Sequence, residues 1–172
     1  MKHSSALPIA RIFLRILLAL NWFFGACILV LLLYTFANEP WTAKALGVSG
    51  FADAHKVMNG MRAVAALGLL AVPINHLILT RLLKMVATVR AGDPFVAANA
   101  YRLNAIAWLL LIIQLLSMVI GAIGKAISTA EHPFHLDAGF SISGWLAVIL
   151  TFVLARVFAE GTLMREDLEG TV

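Results

Sequence analysis

The chain has 172 residues, 62% of them hydrophobic and 13% charged, with a mean hydropathy of +0.93. A soluble domain is about 45–50% apolar and about 25% charged, so a water-soluble fold of this size could not hide the apolar side chains, whereas a bilayer can. The net charge of +4 suits either nucleic acid or basic membrane flanks, and the lone Cys27 excludes a disulfide framework and a thiol metal site.

Four stretches lack Asp, Glu, Lys and Arg: residues 16–38, 63–80, 103–124 and 138–155. Each is close to the ~20 residues that cross a hydrocarbon core about 30 Å thick. In lipid the backbone must satisfy its own hydrogen bonds, so each should be helical. The first run follows Lys2, Arg11 and Arg15, and Thr35-Phe36-Ala37 loosely resembles a cleavage site. The run is nevertheless longer than the ~7–15 residues of a signal peptide's apolar segment, so it is expected to stay as a helix.

Sidedness follows from Lys and Arg near the helix ends. Lys2, Arg11, Arg15, Arg81, Lys84, Arg90, Arg102, Arg156 and Arg165 fall on one side, against Lys44, Lys56, Arg62 and Lys125 on the other. This places both termini in the cytoplasm. The expected architecture is an all-α integral membrane protein, a single domain over residues 1–172. It is a four-transmembrane-helix bundle with helices at about 10–37, 54–91, 94–126 and 142–163. Trp22, Trp41, Trp108 and Trp145 lie toward helix ends or in a loop, as interfacial aromatics prefer.

In the first outer loop, residues 39–53, Pro40, Gly47 and Gly50 break helix. Arg62, about one turn inside the next helix, either snorkels toward the headgroups or pairs with Asp53, Glu131 or Asp137. Pro73 should kink that helix. Gly92-Asp93-Pro94 marks its end: Gly92 for a left-handed terminus, Asp93 as the next cap and Pro94 in the first turn. A helix over 55–91 would be roughly 55 Å long, so a helical hairpin between helices two and three should stand off the membrane in the cytoplasm. Arg81, Lys84, Arg90 and Arg102 decorate this stem, and Phe95 at its tip either dips into the interface or meets a protein. The basic charges themselves need no more than the positive-inside rule and anionic lipid attraction.

Residues 134–142 alternate apolar and polar side chains, a period-two pattern. A short extended segment is expected in this second outer loop, with residues 48–51 as a pairing partner. His132, His135 and Asp137 there have a spacing that zinc could use, although Pro133 forces extended backbone and a solvated loop is the plainer reading. After Arg156 the tail turns acidic, with Glu160, Glu166, Asp167 and Glu169.

Inside the membrane, Asn75, His76 and Gln114 are the notable polar groups. Intramembrane ionisable residues are functional candidates by default, and interhelical hydrogen bonding is the common use of the uncharged ones. His55 is too far along the same helix to share a haem iron with His76, so no cofactor is expected. No phosphate loop, serine triad, paired catalytic carboxylates or His-Glu-x-x-His occurs, so no enzyme activity is expected. A small transporter or permease subunit is the alternative, with Asn75, His76 and Gln114 converging near the midplane.

Gly92-Asp93-Pro94-Phe95 with Asn99, Leu103, Ile106 and Ala107 resembles the central motif of a bacterial membrane family known as domain of unknown function 2975. Val157-Phe158, Gly161 and Met164-Arg165-Glu166-Asp167-Leu168-Glu169-Gly170-Thr171-Val172 are similar to that family's terminus. The resemblance spans nearly the whole chain and implies the bacterial cytoplasmic (inner) membrane. Members often sit beside a gene for a small helix-turn-helix regulator. The resemblance therefore implies a regulatory partner that binds or sequesters such a regulator, without direct contact to nucleic acid. The bilayer is the other partner, and homo-oligomerisation stays open. The surface implied is Arg90, Gly92, Asp93, Pro94, Phe95, Asn99, Arg102, Arg165, Glu166 and Asp167.

Overall fold

Apolar runs bounded by charge become helices because no other backbone geometry hides its polar groups without water. The computed structural model describes residues 6–45, 54–128 and 138–169. They form α1 (Ala6–Ala37), α2 (Glu39–Ala45), α3 (Ala54–Arg90), α4 (Ala97–Ile127) and α5 (Ile142–Glu169). Four of these, all but α2, are long and apolar enough to cross a membrane. α1 shows which solvent the chain is built for: Phe13, Phe23, Phe24, Val30 and Leu31 are each 58–64% exposed around the helix. Water would not tolerate so large an apolar surface. The chain has the helices of a multi-pass membrane protein.

Several boundaries differ from the sequence expectation. α1 starts at Ala6, because Pro8 falls in the first turn, where no hydrogen-bond donor is needed. α5 continues to Glu169, its polar end supported by an Arg156–Glu160 pair one turn apart. Helix-breaking was expected of Pro40, yet α2 forms there. Asn38 caps it by accepting the Trp41 N–H at 3.2 Å on Oδ1, and Pro40 sits harmlessly in the first turn. α3 runs unbroken through Pro73. The second-loop segment shows no strand over 138–141 among the described residues: Gly139 has φ +129° and α5 begins at Ile142. The rest of that segment, residues 48–51 and the cluster His132, His135 and Asp137 lie outside the described residues.

The chain forms two compact units, and α1, α3 and α4 contribute to both. The first comprises residues 1–21, 74–112 and 142–172. Its buried side chains include Leu103, Ile106 and Ala107 of α4 with Val148 and Ala155 of α5. Trp108 and Phe152 meet edge to face, ring centres 5.4 Å apart.

The second unit comprises residues 22–73 and 113–141. Val57, Met58 and Ile127 form its core, with Ala43 and Met61 against them. Close approach relies on missing side chains: a Cβ on Gly25 would lie 2.9 Å from Val72, and one on Gly121 would lie 2.6 Å from the Ala138 carbonyl oxygen. Ser117 fixes the returning chain by accepting the Gly139 N–H at 3.1 Å.

Arg62 is the electrostatic centre of this unit. Its side chain is only 14% exposed and pairs with Glu39 at 3.1 Å, a carboxylate not among those named from sequence. Asp53, Glu131 and Asp137 are outside the described residues. The guanidinium also donates to the Thr35 carbonyl at 2.6 Å and its hydroxyl at 3.2 Å, and stacks on Phe36 at 4.3 Å. His55 meets the second Glu39 oxygen at 3.2 Å. Glu39 falls in reach because Asn38 turns the chain directly into α2 after α1. The guanidinium thus ties the end of α1 to α3.

Replacing Arg62 with Leu should lower unfolding stability in detergent by about 2 kcal/mol, since the Thr35 carbonyl and Glu39 lose their donor. Arg62→Lys should recover only part of the loss, because an ammonium cannot present the same fork. Thermal unfolding followed by tryptophan fluorescence measures both.

Candidate functional site

The turn between α3 and α4 is built from backbone upward. Gly92 adopts φ +87°. Its N–H donates to the Val89 carbonyl and that of Asp93 to the Thr88 carbonyl, each at 3.1 Å. This is a Schellman ending, and it needs the left-handed residue that glycine supplies without strain. The expected start of the next helix at Pro94 is not realised: α4 begins at Ala97, and Pro94, Phe95 and Val96 stay outside it. The reason is that Asp93 does not cap. Its carboxylate is paired with Arg165 of α5.

Asn99 fastens the turn from inside the first turn of α4. Its Nδ2 donates to the Thr88 hydroxyl at 2.7 Å and to the Pro94 carbonyl at 2.9 Å. Its Oδ1 accepts from Arg102 at 2.7 Å. The Thr88 hydroxyl passes the chain on to the Met85 carbonyl. With both N–H bonds and the oxygen used and no surface exposed, Asn99 holds the end of α3 to the start of α4. It was expected on a partner-facing surface, and a fully occupied amide in this position is instead a positioning group.

Phe95 leaves the turn sideways and lies on α5. Its ring centre is 5.2 Å from that of Phe158. A Cβ on Gly161 would lie 2.9 Å from the Phe95 ring, so glycine there makes the notch that receives it. Thr162, buried beside the notch, returns its hydroxyl to the Phe158 carbonyl. A cavity of about 220 Å³ opens here, lined by Asp93, Phe95, Val96, Thr162, Arg165 and Glu166. Phe95 nonetheless stays 41% exposed.

Of the surface residues named from sequence, the structure brings Asp93, Phe95, Arg165 and Glu166 together around this cavity. Asp167 is exposed one residue further along α5, and Arg90 and Gly92 are exposed at the end of α3. Arg102 is half-buried on Asn99. Phe158, Gly161 and Thr88 complete the arrangement and were not placed in it from sequence. Phe158 and Gly161 did stand in the terminal motif, but that motif had no assigned contact. Elsewhere, Asn75 and His76 are half-buried in the first unit. Gln114 is buried in the second, with its Nε2 lacking a hydrogen-bond partner among the described residues. No metal-ligand cluster occurs among the described residues.

Asn99→Leu should strip the Pro94 carbonyl, the Thr88 hydroxyl and Arg102 of their partner and destabilise the first unit by about 2 kcal/mol. Limited proteolysis should then cut within residues 91–96 at least several-fold faster. Arg165→Ala breaks a half-exposed ion pair, so it should change stability by less than about 1 kcal/mol.

No curated protein and no solved structure matches this chain. A family model described as a protein of unknown function (DUF2975) matches residues 14–172. That span contains both motifs that meet at the turn, and the chain belongs to the DUF2975 family.

Proposed function

We propose that the protein is a regulatory partner in a bacterial inner membrane, both termini cytoplasmic, that binds and sequesters a small helix-turn-helix transcription regulator. The observation that carries this reading is the convergence of the central and terminal motifs on one exposed surface: Asp93 on Arg165, and Phe95 on Phe158 and Gly161. The basic residues near the helix ends support the sidedness.

The surface has the chemistry of a docking site. Phe95 is a half-exposed aromatic anchor of the kind that dominates interface energies. Glu166 lines the cavity beside it, and Arg90 at the end of α3 and Asp167 next along α5 are exposed, charges of both signs for orienting a partner. The Asp93–Arg165 pair is 40–43% exposed, so it contributes little on its own and can be exchanged for a partner's charges at small cost. A stimulus that shifts α5 against the turn would alter the grip on the regulator. On this reading the chain is a binding protein and not an enzyme.

Membranes containing the protein should retain the product of the neighbouring regulator gene on sedimentation. The double variant Phe95→Asp, Glu166→Lys should weaken that retention by about tenfold or more. A regulator that stays in the soluble fraction alongside abundant membrane protein overturns the reading.

A second reading, a small transporter or permease subunit, is favoured by the Gln114 Nε2, buried and without a partner among the described residues. Gln114→Leu separates the two. If the amide is only structural, replacing an unsatisfied buried polar group should leave stability unchanged or raise it by about 1 kcal/mol, with regulator capture intact. If it lines a path, uptake of the transported solute falls.

A further inference from the structure

Three cations of the first unit face one concavity without an ion-pair partner among the described residues. A groove of about 600 Å³ separates the last turns of α3 from the first turns of α4. Arg81 and Lys84 come from α3, and Tyr101 and Arg102 from α4. Ala98 leaves room between them, and Leu77 forms the apolar end. The other ion pairs among the described residues engage Arg62, Arg156, Arg165 and His55. None reaches Arg81, Lys84 or Arg102. Arg102 is held in place by one bond to Asn99 at 2.7 Å, which leaves its remaining donors available.

The position of the groove along the helices identifies its depth. The charge-free run 63–80 of α3 ends immediately before Arg81, and the charge-free run 103–124 of α4 starts immediately after Arg102. On both walls the change from hydrocarbon-compatible to charged sequence falls inside the groove. Tyr101, 75% exposed, stands at the same level, where aromatic side chains with a polar tip concentrate. Leu77, 43% exposed, sits on the apolar side.

We propose that this groove is a binding site for the headgroup of an anionic phospholipid. Its phosphate lies among Arg81, Lys84 and Arg102, and its acyl chains leave past Leu77. Basic pockets between membrane helices at the headgroup level bind such lipids. Guanidinium groups suit phosphate oxygens through paired donors. A zwitterionic lipid carries the same phosphate, but its own cation is repelled by three unpaired positive charges. A free phosphate ion satisfies the cations and gains nothing from the apolar end. The site requires neither an assigned sidedness nor the regulator.

Native mass spectrometry of the detergent-purified protein tests this, with phosphatidylglycerol and phosphatidylcholine of identical chains as probes. Phosphatidylglycerol should be retained with about tenfold or greater preference. The triple variant Arg81→Gln, Lys84→Gln, Arg102→Gln should lose that preference. The equally discharged control Arg11→Gln, Arg15→Gln, Lys125→Gln should keep it. Ala98→Trp, which fills the groove and removes no charge, should weaken retention about tenfold as well, and it decides the matter if the triple variant does not fold. Three results overturn the proposal: equal losses in the control and the groove variant, retention in Ala98→Trp, or displacement of phosphatidylglycerol by millimolar inorganic phosphate. The first reveals diffuse charge attraction, the second a site elsewhere, and the third a site for the free anion.

Discussion

The carboxamide of Asn99 is the group on which the α3–α4 region depends. Two long helices must reverse direction where the apolar sequence gives way to charge, and the backbone groups freed by the reversal need partners. From a buried position Asn99 supplies one to the Pro94 carbonyl, and it links two side chains besides, donating to the Thr88 hydroxyl of α3 and accepting from Arg102 of its own helix. Asn99 secures the turn without Asp93, whose carboxylate is paired with Arg165 of α5. Because Arg102 is tethered, its remaining donors are held at the groove wall. The turn, its contact with α5 and the cationic groove therefore share one fixed point. A fully satisfied polar network of this kind specifies a single geometry, where a half-satisfied one would specify none.

Both motifs that characterise the chain serve one place. The central motif provides a left-handed glycine, a carboxylate, an aromatic ring and the amide; the terminal motif provides the ring, the notch and the guanidinium that receive them. Neither half explains itself alone. Gly161 is an odd residue for a helix interior, where glycine costs about 1 kcal/mol against alanine, until the Phe95 ring is seen against it. Arg165 is one more surface cation until Asp93 is found opposite.

The periodicity and charge of the chain reveal the four long helices well, because a run without Asp, Glu, Lys or Arg leaves the backbone little choice in lipid. The end of α3 at Gly92 is equally legible, since a glycine followed by Asp-Pro has few other uses. The start of α4 is not: Asp93 has the local signature of a cap, and only the tertiary pair with Arg165 removes it from that role. α2 was hidden because Pro40 signals a break in general and a first turn only when a cap such as Asn38 precedes it. Arg62 illustrates the same limit. Its need for a carboxylate is plain from its place in an apolar helix, but the choice of Glu39 depends on the turn into α2, which spacing alone does not reveal. The division into two units was likewise invisible, because α1, α3 and α4 each run through both without interruption in their sequence pattern.

The pairing of Asp93 with Arg165 spans 72 residues, and this separation governs the order in which the site comes into being. A ribosome adding about 5–20 residues per second needs roughly 4–14 seconds to travel from one to the other. Throughout that interval Gly92 and Asn99 can already close their turn by local contacts, while the Phe95 ring has no notch to enter. The first unit is finished by α5, so the surface around Phe95 cannot form before that helix has been made.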